Sequence, residues 1–293
     1  MALLEPEVYH DIFTRSSLAI LIMDYDGDCI LDANMAAELL IGCPLEELLV
    51  KPVSEIYFPD DYQFDLASHD KVIAGNLPFY HSERRLIRND GTILWVLITS
   101  YTVRDSSENK YVVSMLEDVS ARKAAEKYLD HVSTHDGLTG LYNRAHFDTE
   151  YQRLSFIDVL PASLFVLDVD GLKKLNDAKG HKAGDELIKS VAKILKRVFT
   201  SDEIICRIGG DEFAVILHLT PAERAAELLL ALEHARNEYN AGKPEYPIHF
   251  SIGSATARTR SETKRLLPIA DGRMYEMKTM KKNQEKVAAA GNR

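Results

Sequence analysis

The chain is poor in the residues that build covalent or metal-held frameworks. Its 293 residues include three cysteines, Cys29, Cys43 and Cys206. They are scattered without CxxC or Cys/His spacing, so disulfide and zinc scaffolds are excluded and buried reduced thiols are expected. Long apolar runs are missing as well. The strongest near the start, Leu18 to Met23, falls far short of the ~18–20 residues of a membrane span, and MALLEPEV opens without the basic residues of a secretory leader. A cytoplasmic chain that engages no membrane is expected. Nor is there an excess of positive charge: 35 Lys and Arg against 45 Asp and Glu give a net charge of −10. That argues against nonspecific binding to nucleic acid, and any phosphate site must be local. Low-complexity tracts and internal repeats are absent too, and 46% hydrophobic with 27% charged residues is the composition of ordinary globular protein.

What is present divides in two, as roughly 100–200 residues per domain would predict for this length. In the first third, LAILIMDYDGDCILDAN reads as a hairpin around Asp26 and Gly27, and RRLIRNDGTILWVLITSYTVRD as another around Asp90 and Gly91. SENKYVVSMLEDV adds a strand, and a more irregular helical stretch lies between the hairpins. This predicts an antiparallel sheet carrying short helices on one face, an α+β module. Trp95 reads as core, while His69 and His81 are weak candidates for haem ligation and more simply surface residues. From Ser120 to His135, Ala121, Ala125, Tyr128, Val132 and His135 recur at alternating steps of four and three, a heptad period. Two such helices would pair as a short parallel coiled coil; a linker helix packed on its own domain is the alternative.

In the second half, SLFVLDV at 163–169 is a continuous apolar strand, the pattern of a strand covered on both faces, and it ends in the acid Asp168. A helix from about Leu172, a turn at Gly180 and a longer helix from Asp185 to Phe199 follow, with Leu187, Val191, Ile194, Leu195 and Val198 on one face. Strands at 204–208 and 213–219 are joined by GGDE; then come a helix from Pro221, a strand at 248–255 and a final helix to about Lys282. Asp211 and Glu212 at the hairpin tip repel each other, and a hard divalent cation shared with Asp168 would compensate them. Gly209 and Gly210 leave room for backbone to approach a ligand and permit positive φ. An acidic hairpin tip is alternatively just a solvated turn.

The first 120 residues, with DAN at Asp32 to Asn34, the NDG turn and the DVSARK exit, resemble a PAS sensory domain. The second half carries, in order, DGLTGLYNR, LDVDGLKKLNDAKGHKAGD, RIGGDEF, FSIGSA and ADGRMYEMKTMKKN. Together these strongly resemble the GGDEF domain of diguanylate cyclases. The resemblance implies an α+β chain made of a PAS domain over 1–117, a linker helix over 118–134 and a GGDEF domain over 135–293, the last with a palm-like central sheet surrounded by helices.

It also implies a reaction, in which two GTP become cyclic di-GMP and two pyrophosphates within a homodimer joined through the PAS domain and linker helix. Asp168, the carbonyl of Val169 and Asp211 match the family's metal positions, for Mg²⁺ or alternatively Mn²⁺. Asp211 also matches the proton acceptor, with Glu212 completing the acidic pair, and Lys173 matches a transition-state-stabilising position. Asn176, Asp185 and His181 match substrate-contacting positions, the first two at guanine, and Lys278 and Lys282 match phosphate contacts. An Asp carboxylate such as Asp185 accepts from both guanine N1–H and N2–H₂, a pair adenine lacks, which favours GTP over ATP. The PAS ligand stays unassigned, and the implied downstream partners are cyclic di-GMP receptors. Two departures are tolerable: Leu172 replaces a common phenylalanine, and Lys282 a common arginine. A third has consequences, because Thr200, Ser201, Asp202 and Glu203 stand where many cyclases carry an RxxD product-inhibition site. The competing reading is a catalytically silent GGDEF-type module that binds GTP or a partner; its signature would be a damaged acidic pair.

Overall fold

Internal contacts gather the chain, in a computed structural model, into two units, Met1–Lys127 and Tyr128–Arg293. The structure describes residues 5–24, 28–62, 78–199 and 203–291, with side chains through 284.

In the first unit, β1 (Ala19–Met23), β2 (Ile30–Ala33), β3 (Tyr80–Ile87), β4 (Ile93–Arg104) and β5 (Lys110–Asp118) form an antiparallel sheet in the order β2-β1-β5-β4-β3. Strand β4 buries Leu94, Val96, Ile98 and Ser100, every second residue, as a sheet covered on one face requires. The helices α2 (Met35–Ile41) and α3 (Leu45–Leu48) supply Ala37, Ile41 and Leu48 to the same core; α1 (Pro6–Arg15) precedes them. This is the expected α+β module.

Asn34 explains the DAN stretch. Its Oδ1 accepts from the amides of Ile20 and Ala37, both at 3.0 Å, and its Nδ2 donates to the carbonyls of Phe13 and Leu18 at 3.0 and 2.8 Å. One buried amide thus caps α2 and pins the entry to β1, with both ends of its side chain satisfied. The expected turn at Asp26 and Gly27 lies outside the described residues, as does His69; His81 is exposed.

Trp95 departs from expectation. It is half-buried on the face of β4 opposite the core, beneath the Arg85 guanidinium at 5.7 Å and the Lys123 ammonium at 5.4 Å from its ring. Its main chain holds the sheet's exit: the Trp95 amide donates to Ser120 Oγ at 2.9 Å, and the Val119 amide donates to the Trp95 carbonyl at 2.8 Å. The chain then enters α4 (Ser120–Thr134), which buries none of its residues and leaves Tyr128, Leu129 and Val132 exposed.

In the second unit, all eight residues of β6 (Ala162–Val169) are buried. It lies inside the antiparallel order β7-β8-β6-β9, with β7 (Ile204–Arg207), β8 (Glu212–Leu217) and β9 (Phe250–Ala257). Phe165, Leu167 and Val169 enter one core together with α7 (His181–Val198) and α8 (Ala222–Ala241). Leu164 and Val166 enter the other with α5 (Arg144–Arg153) and α10 (Leu266–Gly291). Two cores, one per face, are why this strand is apolar without alternation. Helix α6 (Leu172–Lys179) follows β6 directly, and α9 (Arg260–Thr263) starts with a Thr259–Glu262 capping box. Helix α7 begins at His181, four residues before the expected start, because Gly180 ends α6 and caps α7 at once.

The glycine of FSIGSA has a packing reason. A Cβ on Gly253 would collide with the backbone of α10, at the Ala270 carbonyl oxygen and the Met274 amide nitrogen, with the Arg273 carbonyl carbon at 3.0 Å. Strand and helix touch there main chain to main chain.

Candidate active site

The core alternation of β6 leaves Asp168 at its end, one residue before the strand stops. The residue is 5% exposed and stands in register opposite Glu212 of β8 and Ser251 of β9. Its Oδ2 accepts from Lys278 Nζ of α10 at 2.7 Å, whereas Oδ1 is buried with no hydrogen-bond partner. Burial pushes this carboxyl above the usual aspartate range; the bond from Lys278 offsets only part, and the charge of Asp211 adds to the rise. On Lys278 burial acts downward, but the bond to Asp168 and the charges of Asp168 and Asp211 outweigh it and leave the ammonium above its usual range.

Asp211 is brought there by the main chain, since the Val169 amide donates to the Asp211 carbonyl at 2.9 Å. Glu212 is not at the hairpin tip, as its place in GGDE suggested, but is already the first residue of β8. The turn is closed by the Ile208 and Gly209 amides donating to the Glu212 carbonyl at 2.9 and 3.3 Å. Neither Gly209 nor Gly210 uses the positive φ that glycine permits. Gly209 instead makes room: a Cβ there would lie 2.6 Å from Glu212 Oε2.

A clamp that sequence reasoning left unassigned holds this hairpin. Arg207 donates from one terminal nitrogen to Asp136 Oδ1 and Oδ2 at 3.2 and 3.1 Å, and from the other to the Gly210 carbonyl at 2.7 Å. Asp136 also accepts from the Thr139 hydroxyl at 2.6 Å and amide at 2.9 Å. Burial would raise the Asp136 carboxyl, but the Thr139 bonds and the Arg207 guanidinium hold it below its usual range. Both residues lie inside quoted motifs, DGLTGLYNR and RIGGDEF, but nothing local in either motif points to the other.

The remaining expected residues lie on α6, α7 and α10. Asn176 packs against Gly184 so closely that a Cβ there would overlap its Oδ1 and sit 2.9 Å from its Cγ; this Oδ1 is buried without a partner. Lys173, His181 and Asp185 are exposed. Lys282 is exposed one turn beyond Lys278 on α10. Asp168, Asp211, Glu212 and Lys278 therefore converge at the strand ends, while the expected base-reading residues stand apart on the α6–α7 pair. Asp170, one step past Val169, accepts from Ser251 Oγ at 3.0 Å and Lys281 Nζ at 3.1 Å. Of the positions expected to lack the inhibition arginine, Thr200 to Asp202 lie outside the described residues.

Among the described residues no group of three or more His, Cys, Asp or Glu side chains is placed to hold a metal ion. Two carboxylates and a carbonyl suit a cation that takes its other ligands from water and phosphate, as Mg²⁺ does. The unpartnered, buried Asp168 Oδ1 fits such an ion, and the Lys278 ammonium already shows a cation's preference for the other oxygen.

Comparison with known proteins agrees with this architecture. The family model described as "Diguanylate cyclase, GGDEF domain" matches residues 133–284, and a PAS domain model matches residues 17–121. The chain is 35% identical over 178 residues to the probable diguanylate cyclase DgcC of Escherichia coli K12, covering 58% of this chain and 48% of that protein. It is 27% identical over 283 residues to the diguanylate cyclase DgcM of Escherichia coli O157:H7, covering 94% and 67%. The chain thus spans about half the length of the first relative and two thirds of the second. Among solved structures, the coiled coil and GGDEF domain of DgcB from Caulobacter crescentus in complex with c-di-GMP has a TM-score of 0.50 and 30% identity, covering 55% of this chain and 88% of that one.

Proposed function

The chain belongs to the GGDEF diguanylate cyclase domain family, and on that premise we propose that it condenses two GTP into cyclic di-GMP with release of two pyrophosphates. The observation that carries this reading is a buried, half-satisfied Asp168, in register with Glu212 and beside Lys278, next to an Asp211 whose carbonyl accepts from the Val169 amide. A silent module would not need the intact acids of RIGGDEF.

Asp168, the Val169 carbonyl and Asp211 would hold the metal, Mg²⁺ or Mn²⁺. Such an ion supplies Lewis acidity, easing loss of the hydroxyl proton and neutralising charge at phosphorus. The chain's own residues do the rest. Asp211 takes the proton of a substrate 3′-hydroxyl; the 3′-oxygen forms a bond to the α-phosphorus of the facing nucleotide, and the α–β bridging bond breaks with its electron pair leaving on pyrophosphate. Lys173 and Glu212 set the charge around that centre, and Lys278 and Lys282 hold phosphate oxygens. Asn176 and Asp185 bind the guanine end, and His181 makes a further substrate contact. The reaction happens twice, once for each hydroxyl, so two GGDEF domains must face each other, and the exposed Tyr128 and Val132 of α4 support a dimer through the linker helix. In this reading the PAS domain sets that arrangement in response to a signal, product inhibition at an RxxD site is absent, and the chain works in the cytoplasm upstream of cyclic di-GMP receptors. No helix among the described residues is long and apolar enough to cross a membrane.

The test is product analysis with GTP and ATP together, in MgCl₂ and separately in MnCl₂. Cyclic di-GMP as the main product, absent with Asp211→Ala, is expected. No cyclic dinucleotide at concentrations where the protein dimerises, or a mixed purine product, would overturn the reading.

A further inference from the structure

Strand β6 ends at Val169, and two hydrogen bonds fix the direction of the peptide that follows it. The Val169 amide donates to the Asp211 carbonyl and the Asp170 amide to the His249 carbonyl, each at 2.9 Å. Successive amides thus point to opposite sides of the strand, one toward the hairpin that bears Asp211 and the other toward the residue before β9. In a planar trans peptide the carbonyl points opposite to the amide hydrogen, so the Val169 carbonyl is turned away from β9 and toward the side of Asp211. The ladder stops there: Gly171 turns the chain into α6 at a left-handed φ of 81°.

Side chains take over the support. The two oxygens of Asp170 accept from Ser251 Oγ at 3.0 and 3.2 Å, and Oδ2 also accepts from Lys281 Nζ at 3.1 Å. The same ammonium donates to the Phe250 carbonyl at 2.6 Å, and Phe250 is the residue in register opposite Val169. Lys281 therefore ties the exit of β6 to the main chain of β9. It does so from α10, three residues beyond the Lys278 that bonds Asp168 at 2.7 Å. Residues three apart share a helix face, so one face of α10 reaches both the side chain and the peptide expected to hold metal. Lys278 bonds a metal position directly, whereas Lys281 bonds Asp170 and Phe250, which are not among those positions.

We propose that Lys281 is a positioning residue for the metal: through Asp170 and the Phe250 carbonyl it fixes the Val169–Asp170 peptide and keeps the Val169 carbonyl turned toward Asp211. The inference rests on the metal positions of the cyclase reading, and it places Asp170 beside the ion's ligands rather than among them. The sign of the effect separates this role from simple charge. An ammonium near a cation site repels the ion, so charge alone makes Lys281→Met bind metal more tightly. Lost positioning makes it bind more weakly, by about ten-fold, as removal of groups that orient metal ligands does.

The experiment is titration of the full chain with MnCl₂ and no nucleotide, followed by the electron paramagnetic resonance signal of free Mn²⁺. Wild type should bind, Lys281→Met should weaken binding about ten-fold, and Lys281→Arg, which keeps the charge and the reach, should recover most of the loss. Asp170→Asn should weaken binding similarly, and the double variant should be no weaker than the worse single one, because both act through one contact. The melting midpoint of Lys281→Met should stay within about 2 °C of wild type, since the Lys281–Asp170 pair is part-exposed. In turnover at saturating MnCl₂, its KM for GTP should stay within about two-fold of wild type, which a phosphate contact would not allow. Unchanged or tighter Mn²⁺ binding by Lys281→Met would overturn the assignment, and so would no binding by wild type, a KM raised in step with the lost metal affinity, or a midpoint lowered by more than about 5 °C. Mn²⁺ binding involves no turnover, so an inactive protein that still loses Mn²⁺ affinity with Lys281→Met would refute the cyclase reading alone.

Discussion

Replacing Gly253 with alanine should separate β9 from α10. The new Cβ would collide with the Ala270 carbonyl oxygen and the Met274 amide nitrogen, both main-chain atoms of the helix. No side chain can rotate away, so reaching ordinary contact near 3.5 Å requires the helix to move outward by roughly 1–1.5 Å. Overpacking of this kind costs about 1–3 kcal/mol, and a backbone-on-backbone clash belongs at the upper end. For a unit of this size, about 3 kcal/mol lowers the midpoint by roughly 6–12 °C. The same shift would carry Lys278 away from Asp168, now 2.7 Å distant, and a displacement of about 1 Å at a reacting centre costs on the order of 10²-fold in rate. Gly272→Ala, on the same helix with open space around its Cβ, is the control and should raise stability by up to ~1 kcal/mol. Scanning calorimetry of the full chain, together with GTP turnover, reads both effects. A C-terminal transition within about 2 °C of wild type, with turnover within about two-fold, would refute the close approach.

Other perturbations address single contacts. Gly184→Ala should displace the Asn176 side chain and raise KM for GTP about ten-fold while the midpoint moves little, as one lost hydrogen bond would; an unchanged KM means that Asn176 does not touch substrate. Arg207→Lys cannot reach both Asp136 and the Gly210 carbonyl, so amide exchange across 208–211 should accelerate and stability fall by about 1–3 kcal/mol; wild-type protection would count against the clamp. Burial, aided for His135 by its neighbour His131, holds His135 and His218 below their usual range. The unfolded chain therefore binds these protons first, so stability is full above about pH 6.5 and falls as pH drops below it. Urea midpoints at pH 7.5 and 5.5 measure the fall, and His135→Gln should shrink it; an equal fall in the variant removes His135 from the account.

The parts legible in the sequence were those set by local pattern. The continuous apolar run of β6, the acid that ends it and the i, i+3, i+4 face of α7 each reflect neighbours within a few residues. The parts that were not legible depend on register or on distant partners. Trp95 reads as core because it alternates with strand residues, but the inward parity of β4 belongs to Leu94, Val96 and Ile98. Glu212 looked like turn until its pairing with Asp168 made it strand. The Asp136–Arg207 pair joins residues 71 apart in sequence, and no local period reports such a contact.

That pair also decides where the GGDEF half can be cut free. Asn143 donates from its side chain to the Ser133 carbonyl at 2.8 Å, and its amide donates to the Thr134 carbonyl at 2.8 Å, so the last turn of α4 is stitched to the loop that presents Asp136 to Arg207. A fragment begun after Asp136 would carry every acid of the site and leave the hairpin that bears two of them untethered. One begun upstream of Ser133 keeps the tether, and a graft of this half onto another sensory domain should place its junction there, within α4.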